Sequence, residues 1–132
     1  MFKKEIEKQL IKFKKKIKKK HSLGSWLQMA NPEVASILSS APFDWIAIDM
    51  EHGNFSIDIL PAILTSIENN RKISFVRMSN NSDLNLSRYL DLGVKGLIIP
   101  NANNEKIVKK IIARASYSKG TRGVGYSRAN SY

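Results

Sequence analysis

The chain has 132 residues, 42% of them apolar, which is enough for one domain with a real core and too apolar for disorder. It contains no cysteine, which excludes disulfides and thiolate-bound metals and fits a reducing, cytoplasmic setting. The formal charge is +11, no apolar run approaches the roughly 18 residues of a membrane span, and the lysine-rich start lacks the apolar stretch of a secretory signal.

The charge is unevenly spread. Residues 1–21 carry ten lysines against Glu5 and Glu7, a net of +8, whereas residues 22–132 carry +3. Phe2, Ile6, Leu10, Phe13 and Ile17 recur at helical spacing through the same segment. Residues 2–19 are therefore expected to form a cationic helix with one narrow apolar stripe. That stripe needs something to cover: the bottom of a barrel, a partner subunit or a membrane interface, with the chain's own body the commonest cover. A basic segment can meet nucleic acid or an anionic membrane. A charge run alone more often marks a solvated face, and no nucleic-acid partner is expected from it.

Ser22 to Met29 is a short strand candidate. Asn31 is placed to cap a helix with Pro32 at its first position, and Val34, Ile37 and Leu38 are expected to form its buried face. Ala41-Pro42 ends it. The run Asp44-Trp45-Ile46-Ala47-Ile48-Asp49 reads as a strand buried on both faces, and it ends in Asp49-Met50-Glu51-His52-Gly53. Ser56 can cap the next helix, whose inward residues are Ile57, Leu60, Ile63, Leu64 and Ile67. Pro61 lies within that pattern, so the helix either starts near it or kinks there. Asn69-Asn70 closes it.

Ile73 to Met78 is the next strand. Asp83 to Leu92 is a helix closed by Gly93, and Gly96 to Pro100 is a further buried strand. Asn103 or Asn104 caps a last helix through Ala115 with Ile107, Val108, Ile111 and Ile112 inside. From Tyr117 to Tyr132 the chain is rich in Gly, Ser and Arg and has no periodicity. A helix followed by four strand–helix units predicts an α/β fold with a parallel sheet. Four such units are half of an eight-unit barrel, or a small open sheet.

In parallel α/β sheets ligands sit beyond the carboxyl ends of the strands, and Asp49, Glu51 and His52 lie at such an end. An imidazole titrates near neutrality as a residue type, which suits His52 to general-base chemistry, with Asp49 or Glu51 to orient it. A solvent-facing loop histidine is the competing reading. Arg77 closes its strand, where its planar fork suits a carboxylate or a developing oxyanion; a structural ion pair with Asp49 or Glu51 is the alternative. Asp91 ends a helix, where the dipole disfavours an acid. It therefore calls for a compensating partner, such as a histidine, unless it is a solvated surface acid. Gly120-Thr121-Arg122-Gly123-Val124-Gly125 is not a Walker loop. It reads as a mobile active-site loop or as plain flexible chain.

Gly24-Ser25-Trp26, Phe43-Asp44-Trp45, Ile48-Asp49-Met50-Glu51-His52-Gly53, Val76-Arg77, Leu90-Asp91-Leu92-Gly93, Ile99-Pro100 and Gly120 to Gly125 occur in the order found in the HpcH/HpaI aldolases. The chain resembles that family of metal-dependent pyruvate aldolases from about Ser22 onward. The resemblance implies a TIM (β/α)8 barrel that splits a 2-oxo acid into pyruvate and an aldehyde. It makes His52 the proton acceptor, Asp91 the group that raises its basicity, and Arg77 the transition-state stabiliser. A divalent metal, Mg or Mn, is expected to hold the 2-oxo acid and stabilise the enolate. The family's metal ligands belong to later strands, so no metal or cofactor ligand is assigned here.

Residues 1–21 are thus expected to be a basic helix, and residues 22–132 the truncated N-terminal half of an aldolase barrel. An open half-barrel is expected to form a homo-oligomer or to pair with a complementary C-terminal half. The competing reading is a catalytically incomplete fragment that serves as a binding or assembly module through its basic helix.

Overall fold

The computed structural model describes residues 2–80, 83–118 and 120–130, with the backbone alone described for 2–6 and 83–85. Helix α1 spans Phe2–Ile17. It is followed by β1 (Gly24–Leu27), α2 (Pro32–Ser40), β2 (Trp45–Asp49), α3 (Leu60–Asn69), β3 (Ile73–Arg77), α4 (Asp83–Asp91), β4 (Gly96–Ile98) and α5 (Glu105–Ala115). The four strands form one sheet in the order β1-β2-β3-β4, and every neighbouring pair is parallel. The alternation read from the sequence is therefore the order of the fold.

Local chemistry sets the element ends. Asn31 accepts the N–H groups of Glu33 and Val34 at 2.7 and 3.1 Å, with Pro32 opening α2. Both act where a helix start has donors to satisfy. Ser56 caps a 3₁₀ turn over Ile57–Ile59, and α3 starts only at Leu60. Pro61 thus sits in the first turn, where its missing N–H costs no helix bond. Gly93, at φ +79°, closes α4, and Asn104 rather than Asn103 caps α5 through the Ile107 N–H.

The strand period of two divides the sheet into two faces. Ile46, Ile48 and Val76 join Leu27, Leu60, Ile63, Leu64, Ile67, Leu86 and Tyr89 in the core between sheet and helices. On the other face the registers align Gly24 with Trp45, Ala47 with Phe75, Phe75 with Gly96, and Asp49 with Arg77. The small and large residues interlock: a Cβ on Gly24 would lie 2.0 Å from the Trp45 ring, and one on Gly96 would lie 2.4 Å from Phe75. Trp45 meets Phe75 edge-on at 5.7 Å between ring centroids.

Helix α1 covers the lower end of this second face. Phe13 packs on Phe75 at 5.8 Å, and Lys16 donates to both oxygens of Asp44 at 2.6 and 2.7 Å. The stripe therefore covers the chain's own sheet, as expected of the commonest case. Its Phe2 and Ile6 lie outside the described side chains, and Ile17 is about half exposed.

Two helix faces depart from expectation. Ile37 is 72% exposed, while Ala35 and Ser39 are buried. The reason is the close approach of α2 to α3, where Asn70 Nδ2 bonds the Ser39 hydroxyl at 2.9 Å and only small residues fit. On α5, Ile111 packs on the core, but Val108 and Ile112 are exposed, so only one edge of its apolar face is covered.

Candidate active site

Asp49 is the centre of the rim at the carboxyl ends of β2 and β3. Its side chain is fully buried. Burial of a carboxylate is tolerable only when it is paired and hydrogen-bonded, and this one is. Arg77 donates through Nε to Oδ1 at 2.8 Å and through Nη2 to Oδ2 at 2.5 Å. Gln28 Nε2 donates to Oδ2 at 2.9 Å. The backbone N–H groups of Glu51 and His52 donate to Oδ1 at 3.2 and 3.1 Å. The Arg77 hydrogen bonds hold the Asp49 carboxyl far below the usual carboxylate range, against the opposing effect of burial, with Gln28 and the His52 N–H adding to them. The same pair raises Arg77 further above its already high range.

The rim is thus assembled from three strands. Gln28 follows β1, Asp49 ends β2 and Arg77 ends β3, and the parallel register puts Asp49 directly beside Arg77. The tight turn after β2 is fixed by the Gly53 N–H bonding the Asp49 carbonyl at 3.0 Å. Only glycine fits there, because a Cβ would lie 2.4 Å from that carbonyl oxygen. Glu51 approaches Arg77 Nε at 3.3 Å and His52 Nε2 at 3.8 Å. His52 stays 65% exposed at the mouth, and the Arg77 guanidinium lies 4.7 Å over the Trp26 ring.

His52 and Arg77 are therefore brought to one end of the sheet, linked through Asp49 and Glu51. Asp91 is not. Helix α4 runs back between two parallel strands, so its last residue lies at the opposite end of the sheet from His52. The compensating partner of Asp91 is Arg122, whose Nη2 donates to it at 3.1 Å, and not a histidine. The glycine-rich segment goes with it: the Thr121 N–H bonds the Ala113 carbonyl at the end of α5, and Arg122 stacks over Tyr117 at 4.3 Å. Gly120 to Arg122 pack at the lower end of the sheet, away from the His52 rim, while Gly123 to Tyr126 are exposed.

Sequence reasoning gave Trp26 and Gln28 no role at the site. Gln28 shows no motif signal, because its contact depends on sheet register. Trp26 is 44% exposed on the second sheet face; Gly24-Ser25-Trp26 belongs to the family pattern, but the pattern gives the tryptophan no role.

The donor set does not fit a divalent cation. Among the described residues no three His, Cys, Asp or Glu side chains are grouped to hold one. Both Asp49 oxygens are committed to donors, and Glu51 faces Arg77. No described helix is long and apolar enough to cross a membrane.

The HpcH/HpaI aldolase/citrate lyase family model matches residues 22–131. A 4-hydroxy-2-oxovalerate aldolase of Novosphingobium aromaticivorans is 33% identical over 110 residues, covering 82% of this chain and 42% of that protein. A 5-keto-4-deoxy-D-glucarate aldolase of Citrobacter koseri is 31% identical over 112 residues, covering 83% and 44%. The chain thus spans less than half the length of these curated relatives. The HpcH/HpaI aldolase of Desulfitobacterium hafniense superposes with a TM-score of 0.78 at 27% identity, over 89% of this chain and 46% of that one. A family protein from Burkholderia cenocepacia gives 0.82 at 23% identity, over 91% and 51%. The four βα units correspond to about half of such a barrel.

Proposed function

The chain belongs to the HpcH/HpaI aldolase/citrate lyase family, and we propose that it supplies the acid–base rim of a carbon–carbon lyase that cleaves a hydroxylated 2-oxo acid to pyruvate and an aldehyde. The observation that carries this reading is the joining of His52 and Arg77 through Asp49 and Glu51 at the carboxyl ends of adjacent parallel strands. Active sites of barrels sit at that end.

The chemistry assigned to each residue follows from its surroundings. His52 is exposed at the mouth and takes the hydroxyl proton of the substrate. Loss of that proton lets the carbon–carbon bond break, releasing the aldehyde and leaving the enolate of pyruvate. Arg77 holds a fixed positive charge beside the place where the enolate charge grows. Asp49 fixes the guanidinium with one set of bonds and the His52 backbone with another, so the two groups keep one geometry. Asp91 has no part in this arrangement within one chain and serves as the Arg122 anchor.

The divalent metal expected for the family, Mg or Mn, would polarise the 2-oxo acid when bound. The described side chains of this chain do not group to form its site.

The test is pyruvate release from 4-hydroxy-2-oxo acids with added Mn²⁺, for the chain alone and mixed with the C-terminal half of a family aldolase. Turnover in the mixture only, lost in His52→Ala, is the expected result. Undiminished turnover of the complemented His52→Ala variant would overturn the assignment.

A further inference from the structure

The strongest charge on the molecule has a second wall that the sequence alone does not reveal. Lys8, Lys12, Lys16 and Lys20 recur every fourth residue along one side of α1 and its C-terminal extension. Opposite them stand Arg71 and Lys72, from the turn between α3 and β3, and the two sides enclose a groove of about 690 Å³. Arg71 is held at φ +57° at that turn. Asp44 is the one acid lining the groove, and Lys16 already occupies both of its oxygens.

Six cations around one acid repel each other across a low-dielectric wall. An arrangement of that kind is relieved by an anion. Its shape limits which anion. The row from Lys8 to Lys20 runs about 18 Å at helical rise, the length of about five phosphates at 3.4 Å per nucleotide of a stacked strand. The groove is concave, which a flat lipid surface cannot enter. Its floor is apolar and aromatic, formed by Phe13, Phe43 and Ile73. An aromatic floor takes up a base by stacking, which lipid phosphates and acidic side chains cannot offer.

We propose that the groove between α1 and the α3–β3 turn binds a single-stranded nucleic acid, with phosphates along Lys8, Lys12, Lys20, Arg71 and Lys72 and a base over Phe13 and Phe43. Positively charged grooves with aromatic floors bind single strands by this division of labour. The proposal revises the expectation drawn from the charge run alone, because Arg71 and Lys72 come from a distant part of the sequence. It is independent of the lyase reading, since the groove lies at the end of the sheet away from His52.

The experiment is fluorescence anisotropy of the full chain with a labelled 20-nucleotide oligothymidylate and a labelled mixed-sequence RNA, across a salt series. Two variants each lose four charges: Lys8, Lys12, Lys20 and Arg71→Gln in the groove, and Lys14, Lys15, Lys18 and Lys19→Gln outside it. The expected salt slope for the native chain is about −3.5, from five phosphate contacts at roughly 0.7 each. The groove variant is expected to bind about tenfold weaker or worse with a slope shallower by about 2–3, while the outer variant keeps most of the affinity. Equal loss in both variants would overturn the groove. Tighter binding to phosphatidylserine vesicles or to polyglutamate than to either oligonucleotide would overturn the choice of partner.

Discussion

Asp49 and Arg77 stand side by side across the β2–β3 register, and the guanidinium meets both oxygens of the buried carboxylate, at 2.8 and 2.5 Å. This pair is the hinge of the rim. The carboxylate also accepts the His52 N–H, and so one buried charge fixes both an arginine and the strand end that carries the histidine.

The first consequence concerns acid. Asp49 has a folded pKa depressed chiefly by the Arg77 hydrogen bonds. A depressed carboxylate contributes stability that is present above its unfolded pKa, about 3.9, and is lost as pH falls through the folded value. Asp44 is also depressed: burial raises it, but the Lys16 hydrogen bond, the Leu23 N–H and the charges of Lys16 and Lys72 outweigh that. Thermal unfolding of the native chain should therefore shift to lower temperature below about pH 4. In Asp49→Asn the loss over that window should be shallower, with the remainder due to Asp44. Calorimetry from pH 7 down to pH 2 checks this, and identical acid limbs in both proteins would contradict it.

The pair also separates charge from geometry. Arg77→Lys keeps the cation but loses the two-pronged match to Asp49. The variant should melt below the native chain, and complemented retro-aldol turnover should fall about a hundredfold or more. Arg77→Met should melt lower still, since it leaves Asp49 buried without its counter-charge. Melting temperatures and pyruvate release measured on the same preparations would show whether the order native, Lys, Met holds.

His52 should behave in the opposite way. Its ring is largely exposed, and the structural contact it makes to Asp49 runs through the backbone N–H. His52→Ala is expected to leave stability within about 0.5 kcal/mol, as surface substitutions do. Complemented turnover should fall about 10²- to 10⁴-fold, the usual worth of a general base. A variant that loses stability and activity together would make the histidine a structural residue.

Much of this fold could be read from residue patterns because the signals were local. Caps at Asn31 and Ser56, the proline in the first turn of α3 and Gly93 after α4 each act on their own neighbours, and each lies where the pattern places it. The strands announce themselves by composition for the same reason, although only β2 and β3 are largely buried and the β4 expected to be buried is only half-buried at the sheet edge. What escaped depends on register and on helix direction. Ile37 faces solvent because α2 turns small residues toward α3. Asp91 lies at the wrong end of the sheet for His52 because a helix joining parallel strands must run backwards, a constraint that a motif does not express. Gln28 and Trp26 enter the rim only once β1 is aligned with β2.

The interlocked sheet face gives a test of packing. A Cβ on Gly24 would fall within 2.0 Å of the Trp45 ring, which itself meets Phe75. Gly24→Ala should push Trp45 off Phe75 and cost about 1–3 kcal/mol, the usual range for overpacking. The change should appear as a shift in tryptophan emission together with a lower denaturation midpoint. Gly123→Ala, where an added Cβ meets nothing within 4 Å, is the control and should leave both unchanged.

The sheet edges carry the last prediction. Among the described residues, β1 and β4 each pair on one side only, and Trp26 on the second face is 44% exposed. Unpaired edges beside an exposed aromatic face favour association, while the cationic helix opposes close approach of two copies through charge repulsion. The repulsion is screened by salt, with a Debye length of about 10 Å at 0.1 M and about 3 Å at 1 M, whereas strand pairing and apolar contact are not. Self-association of the chain should therefore strengthen as salt rises, the reverse of what a charge-driven complex would do. Sedimentation velocity at low and high ionic strength distinguishes the two. Addition of a family C-terminal half should compete with self-association, because it would cover the same edges and the same face. A chain that stays monomeric and melts cooperatively at every salt concentration would show that these edges are already protected.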